Sequence, residues 1–157
     1  MLATNKVGIT GMGIISSIGE SLPEFRQSLK DGKSGIKQVT SLQEPKPSVN
    51  IVAEIQNFSF FEMLERLQNI PDEKMNLAKR LGRRAPLAIQ TSIIAALQAW
   101  SDAQLFGNKP SSERISLIVA GQNSTQHYQY DLIPKFKENP EYLSPRYALE
   151  FLETNQV

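Results

Sequence analysis

Two uncharged, apolar stretches predict the strands around which the chain is organised. Residues 7–19, read VGITGMGIISSIG, are rich in β-branched residues, which suit a pleated and buried surface. Such a run is typical of a central strand with both faces covered. Its glycines, among them Gly11 and Gly13, mark places where a neighbouring backbone comes close. Residues 115–120, read ISLIVA, predict a second central strand that ends at Gly121.

Apolar residues at helical spacing predict helices beside these strands. The first helix begins at a capping box formed by Ser21 and Glu24 and ends at Gly32, and a second capping box opens the next helix at Ser59. Residues 85–101 carry no charge, so the helix predicted there is apolar nearly all round and is expected to be buried within protein. The other predicted elements are an edge strand near residues 51–55 and helices at residues 71–81, at residues 130–139 with a break at Pro134, and from Ser144 onward.

Composition and charge narrow the classes of function. The chain has 157 residues, the size of one domain, with 21% charged residues and a net charge of +1. This balance favours neither nucleic acid nor a membrane surface as a partner. The absence of cysteine excludes disulfides and a cysteine nucleophile within these residues. No signal-peptide pattern and no run long enough for a membrane helix is present in the sequence, so a cytoplasmic protein is expected.

Positive charge is concentrated near the end of the third predicted helix. Lys79, Arg80, Arg83 and Arg84 share one side of a helix at i, i+3 and i+4 spacing, although Gly82 weakens that pattern. A run of this kind is most often a solvated helix face. Its functional interpretation is a surface for an acidic partner or a phosphate group. No aromatic residues interleave with the cations, which argues against nucleic acid.

Polar residues follow the second predicted strand directly, namely Gln122, Asn123, Ser124 and Thr125. In open α/β sheets, ligands lie beyond the carboxyl ends of the strands. These side chains are therefore candidates for lining a substrate pocket. The alternatives are a loop in solvent and a polar loop buried against a second subunit.

Two other motifs predict neither a cofactor nor a metal ion. Residues 11–13 read GMG, like the start of a dinucleotide fingerprint, but the third glycine is missing and the next helix begins too late to meet a pyrophosphate. His127 is the only histidine, and no cysteine or tight carboxylate cluster lies near it in sequence. It is interpreted as an ordinary loop residue, with a role as general base as the alternative.

The first 36 residues resemble the opening of the β-ketoacyl-acyl carrier protein synthases, the condensing enzymes of fatty acid and polyketide synthesis. That family begins with a strand, a TG-x-G turn, an S-x-x-G, a helix with an aromatic residue, and an L-x-x-G-x-SGI ending. The matching positions are residues 10–13, residues 16–19, Phe25 and residues 29–36. Later matches are Arg83-Arg84, the ISLIVAGQ stretch and Leu143-Ser144-Pro145.

The resemblance implies a thiolase-like layered α/β fold (αβαβα) and a homodimer. Residues 1–157 would form the front part of its N-terminal half, ending before the nucleophile. The catalytic residues of the family are expected beyond Val157, so none is assigned within this chain, and His127 matches none of them.

The resemblance also implies a partner for the cations. The family's partner is an acidic acyl carrier protein, which presents a malonyl or acyl group on phosphopantetheine. Arg83 and Arg84 match the family's docking positions best, and Lys79 and Arg80 match less well.

One departure from the family pattern bears on the reaction. Where the family has a glycine-rich, apolar turn beside the acyl pocket, residues 121–125 read GQNST, and a polar Asn123 would disfavour a long acyl chain. The stretch is similar to ketosynthase-like decarboxylases that carry serine in place of cysteine and convert malonyl-carrier protein to acetyl-carrier protein for β-branching cassettes. Decarboxylation is therefore predicted. The alternatives are a β-ketoacyl synthase that catalyses decarboxylative condensation, a non-catalytic partner like the chain-length factors, and an unrelated α/β cofactor-binding domain.

Overall fold

The computed structural model describes residues 6–38, 50–108, 110–121 and 126–142, and it combines helices with a small sheet. The helices are α1 (Leu22–Lys30), α2 (Phe60–Arg66), α3 (Asp72–Gly82), α4 (Leu87–Asp102) and α5 (Gln126–Glu138), with 3-10 turns at Ser112–Arg114 and Pro140–Tyr142. Strands β1 (Ile36–Gln38) and β2 (Ile51–Ala53) form an antiparallel pair. Within these described ranges, no helix combines the length and apolar character that crossing a membrane requires.

The hydrophobic core lies where α2, α3 and α4 meet. Its buried members are Phe60, Met63 and Leu64 from α2, Ala78 from α3, and Ile94 from α4. Leu64 and Ile94 have no exposed surface at all. Half-buried apolar side chains pack around this cluster, namely Ile15, Phe58, Leu67, Met75, Ile93 and Leu97. The helix predicted to begin at Ser59 is therefore confirmed, and its apolar side faces the core.

Helix α4 is less buried than its uncharged sequence predicts. Its fully buried side chain, Ile94, faces α2 and α3, whereas most of its other residues are half-buried and Leu87 is 48% exposed. The prediction of burial on all sides is thus wrong for the described part of the chain. The reason is that helices α2 and α3 contact only part of the surface of α4.

Residues 7–15 do not form the predicted central strand. Among the described residues no backbone pairs with them, and Val7 and Ile9 are 93% and 80% exposed. Instead, side chains of α4 accept their N–H groups: Met12 donates to Asp102 Oδ2 at 2.9 Å and Ile14 donates to Gln98 Oε1 at 2.8 Å. The two acceptors lie one helical turn apart, so α4 satisfies one edge of this segment as a neighbouring strand would.

The glycines of this segment allow the close backbone approach that the sequence predicts. A Cβ atom built at Gly11 would overlap the carbonyl oxygen of Ala99 and lie 2.6 Å from the nitrogen of Ala103. A Cβ atom at Gly13 would overlap the carbonyl oxygen of Ala95. Glycine is therefore required at both positions because the segment lies directly against the backbone of α4.

Residues 115–120 are also not a strand in this structure. No described strand pairs with them, and Leu117 and Ile118 are 77% and 90% exposed. Strand formation requires a ladder of hydrogen bonds from a neighbouring chain segment, which composition alone does not supply. The small sheet forms elsewhere, where Ile36 pairs with Ala53 and Gln38 with Ile51. The edge strand predicted near residue 51 is confirmed.

Local sequence signals place the helix ends, with two differences in detail. Ser21 Oγ accepts the N–H of Glu24 at 3.4 Å, as predicted, but the carboxylate of Glu24 accepts from the N–H of Glu20, one residue earlier than in a standard capping box. Ser59 is the N-cap of α2 without a side-chain cap bond, so the second capping box is wrong. Beyond α1, Gly32 adopts a φ of 65°, the left-handed conformation that favours glycine after a helix.

Glu20 connects three elements near the start of α1. Its carboxylate forms an ion pair with Arg66 of α2 at 2.9 Å, and its carbonyl accepts from Gln98 Nε2 of α4 at 2.7 Å. Gln98 therefore holds both Ile14 and Glu20. These bonds fix the turn at residues 16–19 against the helical core.

Helix α5 begins earlier than predicted and continues past its proline. It includes residues that sequence reasoning placed in a polar loop, and it runs through Pro134 to Glu138. Pro134 has no N–H to donate to the carbonyl four residues earlier, yet the helix is not broken there. The helix predicted from Ser144 lies outside the described residues.

Candidate functional site

The four clustered cations lie at a tight corner between α3 and α4. Helix α3 ends at Gly82, and Arg83 keeps right-handed helical angles as its C-cap. The carbonyl oxygen of Gly82 accepts two bonds, from the N–H of Ala85 at 3.2 Å and from Gln90 Nε2 at 2.8 Å. We call Lys79, Arg80, Arg83 and Arg84 together the basic corner.

Gly82 fixes the position of this corner by packing rather than by conformational freedom. A Cβ atom at this position would overlap the aromatic ring of Phe60, so α3 approaches α2 closely at its last residue. Ala78, one turn earlier on the same face, is buried as well. Arg80 therefore lies on the outer side of α3, and Arg83 and Arg84 follow the end of a helix whose inner side packs against the core.

The structure brings the predicted cations together at the protein surface. Arg80, Arg83 and Arg84 are exposed, and Lys79 is half-buried. In the described part of the chain, no ion pair joins Lys79, Arg80 or Arg83 to a carboxylate. The charge of these three residues is therefore not neutralised by neighbouring carboxylates of the described ranges.

Charge is separated along α3. Asp72 and Glu73 lie in its first turn, while Lys79 and Arg80 lie in its last turn, about 10 Å further along at 1.5 Å per residue. The helix macrodipole favours this polarity, which is the structural explanation for some of the cations. Four cations at one corner nevertheless concentrate more charge than a helix end requires.

Sequence reasoning missed two apolar residues within the same corner. Leu81 is 59% exposed and Leu87 is 48% exposed. Helical spacing gave no signal for Leu81, since it lies at i+3 from Ala78 and so belongs to the same i, i+3, i+4 stripe as Ala78 and Gly82. For Leu87 the signal was masked, because an uncharged helix predicts burial on every side.

The second predicted site, formed by Gln122, Asn123, Ser124 and Thr125, lies outside the described residues. The described chain reaches Gly121 on one side and resumes with α5 on the other. His127 belongs to the first turn of α5, so its interpretation as a loop residue is wrong.

The expected position of the catalytic residues is not tested by this structure. They are predicted to follow Val157, and Val157 itself lies outside the described residues, which end at Tyr142. The assignment of no catalytic residue to this chain therefore stays a prediction.

A surface cavity that the sequence did not predict lies beside the C-terminal half of α4. Its volume is about 710 Å³, and its walls include Leu97, Trp100, Leu105, Phe106 and Ile115. The rings of Trp100 and Phe106 lie 6.4 Å apart. Because the lining side chains come from separate segments, no local pattern could have indicated the cavity.

Comparisons with known proteins identify the family. Residues 4–149 match the β-ketoacyl synthase N-terminal domain. The chain is 27% identical over 150 residues to the polyketide biosynthesis malonyl-ACP decarboxylase PksF of Bacillus subtilis (strain 168). The matched region covers 96% of this chain and 32% of that protein. It is 31% identical over 119 residues to 3-oxoacyl-[acyl-carrier-protein] synthase 2 of Staphylococcus aureus (strain COL), covering 76% of this chain and 26% of that protein. The protein of the same name from Coxiella burnetii is 27% identical over 114 residues.

The chain belongs to the β-ketoacyl synthase family, whose members are enzymes that condense or decarboxylate acyl groups. Its similarity to a malonyl-ACP decarboxylase extends over nearly its whole length. The resemblance predicted from the opening residues is thereby confirmed. The chain spans about a third or less of the length of these relatives.

Proposed function

We propose that the protein containing this chain decarboxylates malonyl-acyl carrier protein to acetyl-carrier protein in polyketide biosynthesis. The observation that carries the proposal is the 96% coverage of the chain by a relative named as a malonyl-ACP decarboxylase. The GQNST stretch at residues 121–125 supports it, because the family resemblance implies that Asn123 borders the acyl pocket, where a polar side chain would disfavour a long acyl chain.

The proposed reaction breaks the bond between the α-carbon and the carboxylate of the malonyl group. The electron pair of that bond stays on the α-carbon, where the thioester carbonyl delocalises it as an enolate, and a proton then gives the acetyl thioester. Donors aimed at the enolate oxygen would supply most of the stabilisation. We assign no catalytic residue to this chain and expect the nucleophile position beyond Val157 in the full-length protein.

We propose that residues 1–157 form the front part of the N-terminal half of a thiolase-like layered domain, which assembles as a homodimer. The exposed segments at residues 7–9 and 115–120 support this architecture. Both are apolar and uncharged, and no described strand pairs with either of them. Neighbouring strands of a layered sheet would provide the missing hydrogen bonds and cover these side chains.

We further propose that the basic corner docks the acidic carrier protein. The double variant Arg83→Glu/Arg84→Glu of the full-length protein should bind malonyl-carrier protein about tenfold more weakly at low salt, because attraction between opposite charges becomes repulsion. The loss should shrink as salt rises and screens the charges. Surface plasmon resonance across a salt series measures both effects.

The matched control for this docking test is Arg26→Glu, which reverses an exposed charge on α1. It should bind the carrier as the unmodified protein does. Equal affinity of the double variant and the unmodified protein at low salt would exclude the basic corner as the docking surface.

Condensation is the second candidate function, favoured by the 31% identity to 3-oxoacyl-[acyl-carrier-protein] synthase 2 of Staphylococcus aureus. A condensing enzyme first takes an acyl group onto its nucleophile and then joins it to the malonyl unit, so its product is two carbons longer than the acyl donor. A decarboxylase needs malonyl-carrier protein alone. A non-catalytic partner subunit would leave malonyl-carrier protein unchanged, both without an acyl donor and with one.

A further inference from the structure

We draw no further inference here: the strongest candidate, the apolar surface cavity that Trp100 and Phe106 line beside the C-terminal half of α4, carries none because nothing in the described part of the chain shows what covers it.

Discussion

Replacing Gly13 by valine will destabilise the described core by about 3 kcal/mol or more, the largest effect expected of a single substitution in this chain. Its Cβ atom would overlap the carbonyl oxygen of Ala95 and lie 2.8 Å from the Cβ of Gln98. Helix backbone cannot move aside as a flexible side chain does. The segment would therefore lift from α4 and lose the bond from Ile14 to Gln98.

Urea denaturation followed by far-ultraviolet circular dichroism measures this change in unfolding free energy. Gly8→Val is the matched control, because a Cβ atom at Gly8 has no neighbour within 4 Å. We expect the control to change stability by less than about 0.5 kcal/mol. Equal stability of Gly13→Val and Gly8→Val would contradict the packing of the glycine segment on α4.

Truncation of the two fully buried side chains gives the second large effect. Leu64→Ala and Ile94→Ala should each lower the unfolding free energy by about 3 kcal/mol, within the usual range of about 2–5 for such cavities. Both residues belong to the same cluster, which joins α2 to α4. Chemical denaturation of each variant measures the loss, provided that the slope of unfolding free energy against denaturant concentration is unchanged.

Leu29→Ala is the control for the core substitutions, since Leu29 is 57% exposed on α1. It should cost well under about 1 kcal/mol. The double variant Leu64→Ala/Ile94→Ala should lose less than the sum of the two single variants, because the two cavities share their walls. Additive losses, or a costly Leu29→Ala, would place the core elsewhere.

The helices of this chain follow from local sequence, and the structure confirms most of them. The apolar spacing of α2, the Ser21–Glu24 cap of α1 and the glycine beyond α1 all act within one or two helical turns. Such features depend only on residues that are close together in sequence, so the sequence is enough to predict them. Pro134 is the exception, because α5 continues through a residue that normally breaks a helix.

The strands show what local sequence does not determine. Residues 7–15 and 115–120 have the composition of central strands, but pairing depends on segments that lie far apart along the chain. In the described residues, Asp102 and Gln98 of α4 accept the hydrogen bonds that a neighbouring strand would otherwise accept from this first segment's N–H groups. The close approach at Gly11 and Gly13 was predictable, because glycine within a strand-like segment usually marks a place where another backbone comes close.

The candidate site was predictable in its charges but not in its apolar part. Four cations within six residues indicate a surface whatever the fold, and the corner between α3 and α4 brings them together. Leu81 and Leu87 acquire meaning only when their exposure is known. The cavity beside Trp100 depends on contacts between separate segments, so it could not be read from the sequence.

The mass of the carrier protein after incubation with the full-length protein tests decarboxylation directly. With malonyl-carrier protein as the only substrate, we expect a decrease equal to the mass of one CO2 and an acetyl-carrier product. The Arg83→Glu/Arg84→Glu variant should form this product more slowly at low salt. An unchanged malonyl-carrier mass, with a lengthened product appearing only after an acyl donor is added, would contradict decarboxylation and establish condensation instead.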